Sequence, residues 1–483
     1  MDPTSKMNYY VKSLHKTIEE KCLKPMRTLD NLVTRNLHDA RISTRPARSN
    51  GLWCFALLPT VLVLNSLLYD VPQAYKLAAC VSAGLFLYGI FFNLFISVTY
   101  LVLTEGWGAG TLVSGLIASA LVYNVVKPDT ILVLISALPS AFIFSMLLRI
   151  LLMCPNTFTI GEAIVAAQSV VIAVTVVVAK ITCDLGDAIF VGYFQTVLST
   201  VGLIVTALYW LKDVVRTVEQ LISILLAAAG VALVEIHLAL GFDTYVQQSN
   251  LLKFQRTLLA FWLCLVFVAV LVLVWRTRRA GKASSSTRKT FHVLAAAVFA
   301  AGVLWDLELM EMAAGVGLGL LILVEALRKS HIEPISSALQ SAFLVYSDEK
   351  DCGSFALTPI YMYCGLGAGL LAPRGAPVLD RLSGVLAVGV GDAAASWLGS
   401  RCGVHKWPGQ NRTVEGTLFN ILSQVLTVYC LGLFDVLECR HAVLRTTVAA
   451  TISSLVEANT DQVDNLILPL VTLIAFQATY FMS

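Results

Sequence analysis

The stretch GVGDAAASWLGSRCGVHKWPGQNRTVEGT, residues 389–417, leaves one apolar segment, crosses a short basic loop rich in glycine and enters a second apolar segment through Glu415. Asp392 stands as a lone carboxylate inside the first of those segments. A charge at membrane depth costs about 3 kcal/mol or more and is a functional-site hypothesis by default. Glycines, cations and carboxylates gathered at one membrane edge are what a site for a metal-bound polyphosphate needs.

The same alternation of apolar segment and short polar loop runs through most of the chain. Its 483 residues are 57% hydrophobic and 13% charged. Soluble domains carry about 25% charged residues, so the composition is that of an integral membrane protein. Apolar segments fall at 51–69, 77–103, 108–126, 130–153, 163–179, 187–211, 221–240, 257–275, 291–305, 309–327, 355–372, 379–399, 415–434, 443–457 and 466–482. Their lengths approach the roughly 20 residues that span a bilayer, and their lack of strict alternation argues for helices, not a barrel. The expected fold is an all-α, polytopic membrane helical bundle with about 13–15 transmembrane helices.

The first 50 residues hold ten Lys and Arg against five Asp and Glu with no apolar run. They are expected to form a cytosolic basic arm, residues 1–50, that touches anionic lipid. An N-terminal bundle, 51–275, a basic loop, 276–290, and a C-terminal catalytic region, 291–483, follow. The 276–290 loop carries Arg276, Arg278, Arg279, Lys282, Arg288 and Lys289. Even numbers of segments separate it from the basic N-terminus and from Arg401, Lys406 and Arg412, so the positive-inside rule puts all three in the cytosol. The loops 154–162, 212–220, 328–354, 400–414 and 458–465 then share that face, and with it most polar motifs. Eleven scattered cysteines without a CxxC pair indicate neither a disulfide framework nor a zinc site.

Each motif also has a plainer reading. Gly389, Gly391 and the alanines after Asp392 serve close helix packing, and Asp392 itself can be a structural ion pair or a ligand to a divalent cation. The 403–413 loop can be an interfacial loop with Trp407 at headgroup depth. That leaves Glu415-Gly416-Thr417 unexplained at a helix start, where backbone N–H groups attract phosphate and a carboxylate either caps the helix or holds the accompanying metal. Glu457, Asp461, Asp464 and Asn465 form a second acidic group, and the spacing of Asp461 and Asp464 puts both on one helical face. Asp348, Glu349 and Asp351 read best as a solvated loop. Arg288, Lys289 and His292 at a helix start fit a positive-inside anchor as well as phosphate binding. Glu235 and His237 pack or face water, or form a proton relay. Asn411-Arg412-Thr413 is a glycosylation sequon placed in the cytosol. No GxxxxGK[ST], HRD, DFG or HExxH signature is present.

GDAAASWLGSRCGVHKWPGQNRTVEGT resembles the signature of dolichol kinases, membrane enzymes of the endoplasmic reticulum that phosphorylate dolichol with CTP. The resemblance extends to FTIGEAIVAAQ at 158–168, RKTFH at 288–292, DEKDCG at 348–353 and EANTDQVDNLILPL at 457–470. It implies that the CTP-binding segment falls near 400–416, on Ser400, Arg401, Gly403, His405, Lys406, Trp407, Pro408, Gly409, Arg412, Thr413 and Gly416, with Thr417 beside it. A Lys-rich stretch is usual between WPG and EGT; Gln410, Asn411 and Arg412 stand there in this chain. Phytol kinases and phosphatidate cytidylyltransferases share parts of the carboxylate pattern.

The implied reaction passes the γ-phosphate of CTP to dolichol, giving dolichyl phosphate and CDP for protein glycosylation. Asp392, Asp464 and Glu415 are expected to hold Mg²⁺ or a similar divalent cation. Lys406, Arg412, Arg288 and Lys289 are expected to clamp phosphate, and Asp461 to take the alcohol proton. The expected partners are dolichol, CTP and the bilayer, with no nucleic acid. A cytidylyltransferase on the same scaffold would release pyrophosphate instead. A transporter would place its polar residues near the midplane, whereas here they collect at one edge.

Overall fold

The computed structural model describes residues 24–104, 110–126, 129–183, 200–209, 217–231, 252–277, 285–346, 355–408, 412–437 and 441–482, with a few isolated positions between. These are helical nearly throughout, and among the described residues no strand occurs. Five of the helices are long and apolar enough to cross a membrane by length and composition. The chain is an all-α polytopic membrane bundle.

The N-terminal half is built on α1 (Lys24–Asp39), α2 (Leu57–Leu68), α3 (Gln73–Val98), α4 (Thr111–Val125), α5 (Thr130–Met153) and α6 (Ile160–Cys183). Helices α3 to α6 pack in succession, and α6 returns to α3. Asp129 starts α5 by accepting from the Ile131 N–H at 2.8 Å, which satisfies one of the donors left open in a first turn. Further on come α7 (Leu252–Thr277), α8 (Ser285–Trp305), α9 (Leu307–Lys329), α10 (Ile335–Tyr346) and α11 (Thr358–Leu366). A π-helical segment, Val385–Asp392, runs directly into α12 (Ala393–Cys402), and α13 (Val414–Leu433), α14 (Ala442–Asn459) and α15 (Asp464–Ala478) complete the chain.

Where a cytosolic arm touching anionic lipid was expected, residues 24–50 pack against the helices of the N-terminal half. In α1, Asp30, Val33, Asn36 and Leu37 form a buried stripe at helical spacing. Asn36 Nδ2 donates to the Ile96 carbonyl of α3 at 2.6 Å. Beyond α1 the chain runs extended to Gly51, whose φ of 68° is the left-handed conformation that glycine adopts without a Cβ clash. There it crosses Gly161 so closely that a Cβ on Gly161 would overlap the Gly51 carbonyl. Among the basic residues of this stretch, Arg45 is folded inward onto a carboxylate.

That carboxylate is Glu162, fully buried in the FTIGEA motif. Its Oε1 accepts from Arg45 Nη2 at 2.6 Å and from the Val463 N–H at 2.8 Å. Oε2 accepts from the Thr159 N–H at 2.9 Å. Arg45 also donates to the Asp461 carbonyl at 3.1 Å, and Gln462 Nε2 donates to the Ser49 carbonyl at 2.8 Å. One buried ion pair thus joins the N-terminal stretch, the start of α6 and the loop that precedes α15. A second, Arg445 with Asp380 at 2.8 Å, is buried with Tyr69 donating to Asp380 at 3.1 Å, and it ties α14 to α2.

Two further differences concern segment continuity. The span expected at 355–372 breaks at Leu366 into a tighter 3-10 turn, and that at 379–399 contains the π segment. The 328–354 loop contains α10, where Ile335, Leu339 and Phe343 recur every fourth residue as a helix requires. Asp348, Glu349 and Asp351, like Glu235 and His237, lie outside the described residues, as do parts of the 187–211 and 221–240 spans.

Candidate active site

The ends of α8, α11, α12, α13, α14 and α15 meet around one cavity of about 390 Å³. Its walls carry Arg288, Lys289 and His292 from α8, Thr358 from α11, Asp392, Ser396 and Ser400 from the π segment and α12, and Arg412, Thr413, Gly416 and Thr417 from the loop and α13. Glu457 of α14 and Val463, Asp464 and Asn465 at the start of α15 close it.

Asp392 stands at the last position of the π segment and is nearly buried. A π turn places one extra residue per turn and is frequent at functional sites. The two glycines before Asp392 let this wide turn sit close to its neighbours. A Cβ on Gly389 would meet Ala296 of α8, and one on Gly391 would meet the Asn420 and Gln424 amides of α13. Asp392 is therefore held between two helices, and it forms an ion pair with Lys289 of α8. In the cavity wall α12 and α13 touch at glycines, with Gly399 against Gly416.

A second carboxylate–cation pair lies across the cavity. Arg412 Nη2 donates to Asp464 Oδ1 at 2.8 Å, Nη1 donates to the Thr460 carbonyl at 2.8 Å, and Nε lies 3.9 Å from Glu457 Oε1. Burial alone would lower the Arg412 guanidinium, but Asp464 and Glu457 beside it raise it above the ordinary arginine value. Glu457 also accepts from Asn420 Nδ2 at 2.6 Å, and Gln424 donates to Asn420 at 2.5 Å. Pro469 has no N–H to give the Asn465 carbonyl one turn back, and that carbonyl packs against Gly365 of α11.

The rest of the 403–413 loop supports this geometry from outside the cavity. Lys406 pairs with Thr413 in an isolated antiparallel bridge, and the Trp407 N–H donates to the Arg412 carbonyl at 3.0 Å. Trp407 is buried against Val414, Leu455 and Ala458, with its indole N–H on Thr417 Oγ1 at 3.0 Å. It is a packing residue, not a headgroup anchor, because the loop folds back onto α14. Glu415 accepts from the Val404 and His405 N–H groups at 3.1 Å and meets His405 Nδ1 at 2.5 Å. Its carboxylate is spent on the loop base and does not line the cavity. The Val414 N–H donates to the His405 carbonyl and the Gly416 N–H to Thr413 Oγ1. The start of α13 thus has fewer N–H groups to give a phosphate than the sequence implied, and side-chain cations carry more of that task.

Among the other expected site residues, Arg401 is exposed and lies over the Trp397 ring at 4.3 Å. Lys406 is exposed, while Gly403, His405 and Pro408 lie along the loop away from the cavity wall. Gly409 lies outside the described residues. Asp461 is bound by Arg48, Nη2 to Oδ1 at 2.5 Å and Nε to Oδ2 at 2.6 Å. Burial alone would raise its carboxyl, but the hydrogen bonds and charge of Arg48 hold it below the ordinary aspartate value. Ser396 and Thr358 carry no sequence signal that would have selected them. Asn420 and Gln424 do: two amides one turn apart in an apolar segment need partners.

Against known sequences, the Dolichol kinase family profile matches residues 80–364. The chain is 31% identical to "Dolichol kinase" of Mus musculus over 421 residues, which is 81% of this chain and 78% of that protein. The chain belongs to the dolichol kinase family. Another relative in the dolichol kinase family is that of Bos taurus, 30% identical over 81% of this chain and 78% of its own length. The Homo sapiens dolichol kinase is 36% identical over 241 residues, 46% of this chain and 44% of that protein. No solved structure is significantly similar to this dolichol kinase family member.

Proposed function

We propose that the cavity binds CTP with a divalent cation and transfers its γ-phosphoryl group to the terminal hydroxyl of dolichol, yielding dolichyl phosphate and CDP. The observation that carries this reading is the pair of carboxylate–cation contacts, Asp392–Lys289 and Asp464–Arg412, facing one cavity at the ends of membrane helices. Arg288, Lys289 and Arg412 balance Asp392, Glu457 and Asp464 in the cavity wall. A triphosphate brings charge that draws the three cations away, and a cation travelling with it answers the carboxylates so released.

The donor set fits such a travelling ion. Asp392, Asp464 and Glu457 supply hard oxygen ligands, yet among the described residues no three metal-ligating side chains gather as a ready cage. That is the pattern of Mg²⁺, which takes one or two carboxylates and relies on phosphates and water for the rest. Bound there, the ion would neutralise β- and γ-phosphate charge. The protein's own task is positioning: Lys289, Arg288 and Arg412 orient the phosphates, and the membrane helices present the lipid hydroxyl. CTP as donor rests on the family resemblance of the 400–416 loop. The positive-inside pattern supports a cytosolic face, and the family resemblance supports the endoplasmic reticulum and a supply of lipid carrier for glycosylation.

The test uses purified protein in detergent with dolichol, Mg²⁺ and CTP labelled at the γ-phosphate, beside an Asp392→Ala control. Label entering the lipid from wild type alone supports the reading. Release of pyrophosphate with CMP joined to lipid would replace it with a cytidylyltransferase, and no transfer by folded wild type would refute it. A glycan on Asn411 would overturn the cytosolic placement.

A further inference from the structure

We infer that His292 is the residue that receives the proton of the acceptor hydroxyl; this deepens the lipid kinase reading and rests on it. His292 lines the cavity and is 6% exposed. Its Nδ1 lies 3.2 Å from the Arg288 carbonyl in the preceding turn of α8. A carbonyl can only accept, so Nδ1 carries a hydrogen, and the neutral ring is left with its lone pair on Nε2. Nε2 is buried with no hydrogen-bond partner among the described residues, and the Asn465 side chain stands beside the ring as its nearest polar neighbour from α15. A buried polar atom left without a partner is costly in a folded protein and calls for a ligand.

The neighbouring carboxylates are each engaged already. Asp392 holds Lys289, Asp464 holds Arg412, Asp461 holds Arg48, and Glu457 accepts from Asn420. Depth along the helix also separates the tasks. His292 lies four residues beyond Arg288 on the same face of α8, about 6 Å further into the bundle. The cations that meet phosphate are at the helix start, and the imidazole is on the side from which a membrane alcohol arrives. In the transfer step the hydroxyl proton passes to Nε2 and the acceptor oxygen bonds to the γ-phosphorus. The bond from that phosphorus to the bridging oxygen breaks, and CDP leaves with the electron pair. The proton passes to water when product departs.

The experiment measures kcat, KM for CTP and direct CTP binding for wild type, His292→Ala and His292→Asn with dolichol as acceptor. His292→Asn keeps a donor for the Arg288 carbonyl, so it decides the matter if the alanine variant fails to fold. The expected result is a kcat lower by about 10²–10⁴-fold in both variants, with CTP affinity and KM unchanged. Transfer by either folded variant within about tenfold of wild type overturns the assignment, because removing a positioned base costs more than that. Loss of CTP affinity in step with kcat also overturns it, since it would make His292 part of the nucleotide pocket. Wild type that binds CTP yet transfers nothing to dolichol refutes the lipid kinase reading and this assignment together. Active wild type with active variants refutes the assignment alone.

Discussion

At the level of single residues, position in the sequence and position at the cavity are different quantities. Asp392 and Glu415 looked equivalent as carboxylates at the two edges of one loop, yet Asp392 faces the cavity and Glu415 faces backbone N–H groups. Their substitutions should separate accordingly. Asp392→Asn keeps the shape but removes the charge, and transfer by the folded variant should fall at least about 100-fold. Glu415→Gln should loosen the loop that presents Arg412 and raise KM for CTP more than it lowers kcat, read from initial rates across CTP concentrations. Asp461 carries a pH signature of its own. Its carboxyl is held below the ordinary value, so the contribution of the Arg48 pair is present above the unfolded aspartate pKa and is lost as pH falls through the lower folded value. The melting-temperature gap between wild type and Asp461→Asn should be constant from pH 8 to pH 5 and close below roughly pH 4. A gap that closes near neutral pH would contradict that assignment.

At the level of elements, the segment pattern was legible where hydrophobicity runs unbroken. The helices at 73–98, 130–153 and 160–183 follow apolar segments read from sequence to within a few residues at most boundaries. The π segment was not legible, because the extra residue in a π turn leaves no hydrophobic period to detect, and the glycines were explained equally well by packing. Their packing role is nonetheless specific. Gly391→Ala would drive a methyl into the Asn420–Gln424 amide pair, at an overpacking cost of about 1–3 kcal/mol. Gly432, later in α13, has open space where its Cβ would stand. Gly391→Ala should therefore lower both melting temperature and transfer, while Gly432→Ala leaves both near wild type. Equal effects at the two positions would deny the π segment its role in setting Asp392.

At the level of the whole molecule, polar motifs far apart in sequence were expected at one membrane face, and the cavity does gather Lys289 and His292, Asp392, Arg412, Glu457 and Asp464, though not Glu415 or Asp461. The part played by the N-terminal half was not legible, because a basic stretch and the motif FTIGEA give no sign of each other until the chain is folded. Glu162 takes hydrogen bonds from Arg45 and from the Val463 N–H, one residue before Asp464. The N-terminal half therefore fixes the start of α15 without entering the cavity. Removing one partner of a buried pair leaves an uncompensated charge, at about 3–5 kcal/mol, whereas replacing both by apolar residues is often neutral. Arg45→Met and Glu162→Leu should each lower the melting temperature and depress transfer, and the double variant should regain much of the stability. Because the double variant still lacks the acceptor for the Val463 N–H, its transfer should stay below wild type when its melting temperature has recovered. Full recovery of both would reduce Glu162 to a stabilising ion pair with no hold on Asp464.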